Sequence, residues 1–386
     1  MKESDVNMNI IIACDSFKGS LSSLEVANNI KTGALKIFPS ATFKIIAMAD
    51  GGEGTVDAML SSIEGTKRTI TVKDPLMQDV EASYGIFHDG SAIIEMAAAS
   101  GLTLVNERKD VYKANTYGTG QLIEDAMDKG CKTIYIGIGG SATNDGGIGM
   151  ASALGVRFLD KNQKVLPPDA YSLMNIDSID VSHLDSRIKD TEIIVMCDVN
   201  NPLCGKQGAS AIYGPQKGAT PKQIDYLDKG LKNLARVVKD SGLIDASNIL
   251  GSGAAGGLGF GLVAFLNATL SPGVDVILKA NHFDEMVGYA DIVITGEGRI
   301  DHQSIHGKVP VGVAKVAKQK NKPTIAIVGC IGSNAELVYE HGISTIESCI
   351  YAPCTLKDAL NNASGNIQNA TQRVLRSIKI GTTLKL

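Results

Sequence analysis

Tryptophan is absent from the 386-residue chain, and aromatic residues of all kinds make up only 5% of it. Few flat side chains are therefore available on which nucleic-acid bases could stack. A basic block is missing too: 37 Lys and Arg stand against 41 Asp and Glu, a formal charge of −4. A mildly acidic chain suits a phosphate backbone poorly, so no nucleic-acid partner is expected. The start, MKESDVNMN, is polar, and the apolar run that follows, Ile10 to Cys14, is too short for an export signal or a membrane span. The seven cysteines contain no CxxC pair and no zinc-type Cys/His spacing. An odd, scattered set reads as small buried hydrophobes of a reduced, cytoplasmic protein with no membrane attachment.

Against these absences, 44% of the residues are apolar and 20% charged, the balance of a globular protein with a sizeable core. Glycine is in excess, 42 of 386 or about 11% against an average near 7%. Short apolar runs alternate with amphipathic helical patterns, which predicts parallel α/β layers. The clearest unit is a buried strand at Asn9–Ala13, then a loop, then a helix with Leu24, Ala27, Ile30, Leu35 and Phe38 on one face. Ser22 and Glu25 form its capping box, and Pro39 is read as its stop. Further strands are expected at Phe43–Ala47, Ile134–Ile138, Glu192–Met196, Asp291–Thr295 and Thr324–Val328. Thr66 to Met96 runs through strand patterns without a helix, predicting a mixed or antiparallel sheet there. A long helix at Pro221–Lys239, capped by Thr220 and Gln223, and an apolar stretch at Leu258–Leu270 follow. The expected fold is α/β with two domains: residues 1–66 and 290–386 as one parallel-sheet domain, and 67–289 inserted as a second, mixed-sheet domain.

Five loops place glycines beside charged or polar residues at predicted strand ends: CDSFKGS (14–20), ADGGEGT (49–55), GIGGSATNDGGIG (137–149), CDVNNPLCG with YGPQKGA (197–219), and TGEGRIDHQSIHGK (295–308). Any one of these alone reads as a tight turn, but five together point to an anion site. A P-loop is excluded, because Gly307-Lys308 is followed by Val309 and Gly205-Lys206 by Gln207. Gly251 to Gly256 matches GxGxxG with no strand pattern before it, so it reads as entry to the apolar helix after Gly257. HRD, DFG and GxSxG are absent, and His302 and His306 read as a solvated pair rather than metal ligands. Phosphoryl transfer needs anion-binding backbone, one or two carboxylates for Mg²⁺, a cation and a base. The loops offer each part: Ser141, Thr143 and Asp145; the carboxylates Asp15, Asp50, Glu53, Asp198 and Asp301; and the cations Lys18, Lys217, Arg299 and Lys308.

The blocks IIACDSFKGSLSSLEVA, MADGGEGT, IGIGGSATNDGGIGMASALG, CDVNNPLCGKQGASAIYGPQKGA, GSGAAGGLGFGLVAFLNATLSPGVD and DIVITGEGRIDHQSIHGKVPVGVA lie within a span from about Ile10 to Gly329. They resemble, in order, the signature blocks of the type 1 glycerate kinase family. Cys14 stands where that family commonly has proline, and Tyr213 where phenylalanine is common. Similarity begins at Met8, so Met1–Asn7 reads as an extension or an upstream start. The resemblance implies an ATP- and Mg²⁺-dependent kinase acting on D-glycerate, usually at the 2-hydroxyl. It also implies a Rossmann-like domain and an inserted domain with the active site in the cleft between them.

On this reading Arg299 grips the substrate carboxylate, the plainer alternative being an ion pair with Glu297 or Asp301. Asp198 is first choice for the base or a Mg²⁺ ligand, its alternative a cap or turn former. Asp15 and Asp145 are further metal candidates and Asp301 a further catalytic one. Lys18 and Lys217 are expected on phosphate, and Gly139, Gly140, Ser141, Thr143 and Asn144 form the nucleotide cradle. Two rivals stay open: an NAD-dependent hydroxy-acid dehydrogenase, which needs a strand before Gly251, and a non-catalytic two-domain acid binder. The 2- or 3-phosphoglycerate product, the preferred nucleotide, and a monomeric or homodimeric state are not decided by sequence.

Overall fold

A computed structural model describes residues 7–49, 51–305 and 307–381. The readings of Met1–Val6, Asp50 and His306 lie outside these residues. In chain order the strands are β1 (Asn9–Cys14), β2 (Thr42–Ala47), β3 (Gly65–Lys73), β4 (Asp79–Phe87), β5 (Ala92–Glu95), β6 (Thr133–Gly137), β7 (Arg157–Leu159), β8 (Ser178–Asp180), β9 (Glu192–Met196), β10 (Thr269–Ser271), β11 (Ile292–Ile300), β12 (Thr324–Ile331) and β13 (Thr345–Ser348). The chain divides into two compact units. One runs to Ala49 and resumes at Ser61–Ile63 and from Ile277; the other extends to Leu60 and takes Glu64–Val276.

The first unit holds a five-stranded sheet in the order β13-β12-β11-β1-β2, with every pairing parallel. The interior strand β1, NIIIAC, is buried from Ile10 to Cys14, as expected of a strand covered on both faces. Cys14 is fully buried with its thiol 3.9 Å from the Ile294 carbonyl. The helix Ser23–Leu35 carries the anticipated Ser22/Glu25 capping box. It buries Val26, Ala27, Ile30 and Ala34, while Leu24 and Leu35, expected inward, are 39% and 36% exposed. The apolar stripe is thus one narrower face, and the helix ends four residues before Pro39. Ile12, Ile30, Phe38, Ile294, Ile327 and Ile367 anchor this core.

The second unit is built on a six-stranded mixed sheet in the order β10-β9-β6-β5-β4-β3. The β3–β4 and β4–β5 pairs are antiparallel, and β5, β6, β9 and β10 run parallel, as the helix-free pattern from Thr66 to Met96 implies. The helix Pro221–Asp240 starts at the Thr220/Gln223 capping box and buries Leu227, Leu231, Leu234 and Val238. The helix Ala254–Leu266 is buried on every side, which its apolar circumference requires. The expected junction at 66/67 falls inside β3, whose residues from Gly65 onward pair with β4, and residues 277–289 go with the first unit rather than the second. β7, β8, β10 and β13 were not anticipated; at three or four residues each they carry too little pattern to read.

Candidate functional site

From β1 the chain of the first unit proceeds to β2 at one edge, and from β11 to β12 and β13 at the other. The neighbours β1 and β11 therefore flank the point where strand order reverses, and a ligand crevice is expected outside their carboxyl ends. A cavity of about 660 Å³ lies there, with Asp15, Lys18, Glu297, Arg299 and Lys308 on its charged side. The Asp15 backbone donates to the Gly296 carbonyl at 2.9 Å, which ties the loop after β1 to β11. The Asp15 carboxylate accepts from the Ser16 backbone at 2.6 Å, and Lys18 is exposed.

Glu297 is 5% exposed. Its Oε1 accepts from the Ser304 hydroxyl at 2.5 Å and its Oε2 lies 3.3 Å from Lys308 Nζ. Burial pushes its carboxyl above the ordinary range, with Ser304 and Lys308 working the other way. Arg299 donates through Nε to Asp301 Oδ2 at 3.1 Å, yet its side chain stays 63% exposed. The plainer reading of Arg299 thus holds for Nε alone, and Glu297 pairs with Lys308 instead. Asp301 Oδ1 also accepts from the Gln303 backbone at 2.9 Å, and this bond leads the causes that hold its carboxyl low, followed by Lys308 and Arg299. Asp301 does not line the cavity. It was expected to be catalytic; the geometry makes it the group that orients Arg299. Gly332 permits this arrangement, since a Cβ there would stand 3.0 Å from Arg299 Nε and 2.8 Å from Asp301 Cβ.

In the second unit, Gly139, Gly140, Ser141, Asp198, Tyr213 and Gln216 border a hollow of about 250 Å³ beyond the ends of β6 and β9. Asp198 is exposed, and its Oδ1 accepts from the Gly273 backbone at 2.8 Å. The Tyr213 hydroxyl, which a phenylalanine would lack, donates to Asn201 at 2.7 Å.

Three expected nucleotide contacts, Thr143, Asn144 and Lys217, are interior instead, at 0, 1 and 1% exposure. Lys217 Nζ donates to the Thr143 carbonyl at 2.5 Å, and burial lowers its ammonium to about 7. Asp145, expected to bind metal, is fully buried. Its Oδ2 accepts from Thr116 N and Oγ1 at 2.8 and 2.7 Å and from Gly149 N at 3.1 Å, and its Oδ1 accepts from Gly147 N at 3.2 Å. This carboxylate ties a loop together and is not presented to a ligand. Burial raises its acid range even so, against the pull of those four bonds.

The loop is covered by the helix that follows Gly251–Gly256. Gly256, at φ +68°, lies so close that a Cβ would meet the Thr143 carbonyl oxygen at 1.9 Å. The GxGxxG glycines serve this backbone-to-backbone packing. The element before Gly251 is the helix Pro221–Asp240 and not a strand, so the dehydrogenase reading loses the context it needs.

Among the described residues, no group of three His, Cys, Asp or Glu side chains converges to hold a metal ion. A hard cation here would depend on one or two carboxylates together with phosphate oxygens. Of the seven cysteines, none bonded to another, Cys14, Cys131 and Cys349 are buried, whereas Cys330 and Cys354 are exposed. No helix among the described residues is long and apolar enough to cross a membrane. The cavity's other wall, formed by Leu356, Ala359, Leu360 and Ala363, was missed. Its signal was an apolar i, i+3, i+4, i+7 stripe in a polar segment.

A profile of the glycerate kinase family matches residues 10–379. A glycerate kinase of Halalkalibacterium halodurans is 46% identical over 367 residues, 95% of this chain and 97% of the relative. A glycerate 2-kinase of Escherichia coli K12 is 47% identical over 376 residues, 97% and 99% of the two chains. The crystal structure of a protein assigned as glycerate kinase 2 from Salmonella typhimurium LT2 superposes with a TM-score of 0.86 at 47% identity, covering 98% of this chain and 100% of that one.

Proposed function

The chain belongs to the glycerate kinase family, and from that premise we propose that it transfers the γ-phosphoryl group of ATP to the 2-hydroxyl of D-glycerate, giving ADP and 2-phospho-D-glycerate. The observation that carries this reading is the meeting of Lys18, Arg299 and Lys308 with Asp15 and Glu297 at the strand-order reversal. Phosphoryl transfer asks a protein mainly for positioning and for stabilisation of moving charge. Three cations and two carboxylates on the loop after β1, the end of β11 and the segment that follows it supply both.

Arg299 takes the glycerate carboxylate. Asp301 fixes the Nε edge of its planar guanidinium and leaves most of the side chain exposed for a bidentate grip. Lys18 and Lys308 draw phosphate oxygens, and Glu297 keeps Lys308 in position. Asp198 is the proposed base or Mg²⁺ ligand. Mg²⁺, held by Asp15 or Asp198 with phosphate oxygens, would neutralise charge on the triphosphate.

Incubation of the full chain with D-glycerate and MgATP, followed by ³¹P NMR of the product, tests this reading. Phosphorus coupled to the C2 proton is expected. Exclusive phosphorylation at O3 would overturn the regiochemistry, and no ADP formation with any hydroxy acid would overturn the ATP-dependent reaction. The non-catalytic binder reading predicts that latter result.

A further inference from the structure

Glycerate is a small, wholly polar acid, whereas the cavity over the first sheet is large and only partly polar. Its volume, about 660 Å³, sits within the range of roughly 300–1,000 Å³ usual for drug-sized ligands. Strand order divides the lining. The loop after β1 contributes Asp15 and Lys18 and the carboxyl-terminal part of β11 contributes Glu297 and Arg299, while β12 and the segment after β13 contribute Cys330, Cys349 and Ile350. The apolar end is closed by Leu356, Ala359 and Leu360 of the helix Leu356–Asn361 and by Ala363 of the next helix. The Ser20 hydroxyl donates to the Leu360 carbonyl at 3.2 Å, fixing this wall to the loop that carries Lys18. Beyond Cys349, Ile350 and Asn366 the cavity borders a second hollow of about 610 Å³ rimmed by Asn361, Asn362 and Asn369. A cavity charged at one end, apolar at the other and edged with amides matches a molecule that is anionic at one end and carries a flat heteroaromatic ring at the other.

We infer that this cavity binds the adenine nucleotide, with its phosphates toward Lys18 and Lys308 and its base against Leu356, Ala359 and Leu360. The inference rests on the ATP-dependent reading above and moves the nucleotide away from the Gly139–Asn144 loop. Two observations bear against that loop as the main nucleotide site. Thr143, Asn144 and Lys217 are interior, and the hollow at Gly139–Ser141 is only about 250 Å³, below the range for such a ligand. Asn366 borders both larger hollows and is the amide placed to meet polar atoms of the base or ribose. The reacting end of the nucleotide then lies beside Arg299, where glycerate is gripped.

Ala359→Trp tests the base position, because residue 359 is on the surface-facing helix Leu356–Asn361 and a bulky ring there fills the apolar end without cutting the core. Titration calorimetry with MgADP should show affinity falling at least about tenfold, the loss of about 1.4 kcal/mol. Inorganic tripolyphosphate, which has the anionic end alone, should bind parent and variant alike, and the KM for D-glycerate should not move. Photolabelling of the parent with 8-azido-ATP should mark the peptide spanning Cys349–Asn366. Unchanged MgADP affinity in a folded Ala359→Trp protein, or label confined to the peptides around Gly139–Ser141 and Asp198, would overturn the inference while leaving the kinase reading intact. Failure of the kinase reading would appear in the parent itself, as absence of ADP formation, and would remove this inference with it.

Discussion

Replacing Asp145 by alanine separates the tie seen in the structure from the metal ligand that the residue type suggests. The substitution removes the acceptor of four buried donors: the backbone N–H groups of Thr116, Gly147 and Gly149 and the Thr116 hydroxyl. Each donor left dry costs about 1–3 kcal/mol. Relief of the carboxylate's own desolvation and entry of water into the gap recover part of that sum. The net loss should fall near about 3–5 kcal/mol, the usual cost of deleting one side of a buried charged network. At about 2–4 °C per kcal/mol for a unit of this size, Tm should drop by about 6–20 °C in differential scanning calorimetry. The Mg²⁺ concentration giving half-maximal activity, measured well below the new Tm, should stay close to the parent's. A variant that melts with the parent but needs about tenfold more Mg²⁺ would refute the argument and return Asp145 to the metal.

The lowered Lys217 ammonium gives a pH prediction. The folded group loses its proton near pH 7 and the unfolded one near about 10.4. Between those values the unfolded chain binds more protons, so stability rises with pH. Urea unfolding from about pH 7.5 to 9.5 should therefore show a parent slope steeper than that of Lys217→Met, by up to about 1.4 kcal/mol per pH unit; parallel slopes would contradict a Lys217 that is neutral when buried. Arg299→Lys keeps the charge and loses the planar fork, so the KM for D-glycerate should rise by about tenfold or more while the KM for ATP changes little; an equal rise in both would place Arg299 on the nucleotide. Asp198→Asn should lower kcat by about 10² or more with an unchanged melting curve, and near-normal turnover would pass the base role to Asp15.

The order of the strong strands and both capped helices was legible because each depends on local signals. NIIIAC needs only its apolar run, and the Ser22/Glu25 and Thr220/Gln223 boxes need three residues of spacing. The site was legible in one half. Asp15, Lys18 and Arg299 stand at the ends of strands whose neighbours could be read, whereas Glu297, considered only as a partner for Arg299, was not picked out. Thr143, Asn144, Asp145 and Lys217 have the same composition and the same glycine-rich setting, yet they are interior, and the backbone of Gly256 lies directly against Thr143 and Asn144. That contact is between segments over 100 residues apart, and no periodicity within either segment encodes it. Leu24 and Leu35 failed for a related reason. An apolar residue at helical spacing is buried only when another element reaches it.

The parallel pairing of β1 with β11 brings together residues 282 apart, as the bond from the Asn9 backbone to Asp291 shows. On a ribosome adding about 5–20 residues per second, β1 would wait about 14–56 s for that partner to be synthesised, with its Ile-rich central face lacking one neighbour. The stretch Glu64–Val276, which contains all six strands of the other sheet, is finished within that interval and is free to fold first. For the charges of the crevice, assembly therefore lags synthesis: Asp15 and Lys18 are made early but meet Glu297 and Arg299 only after most of the chain has been made. A product released before β11 has neither the neighbour of its most apolar strand nor the charged crevice, and it is the species that a chaperone would have to hold.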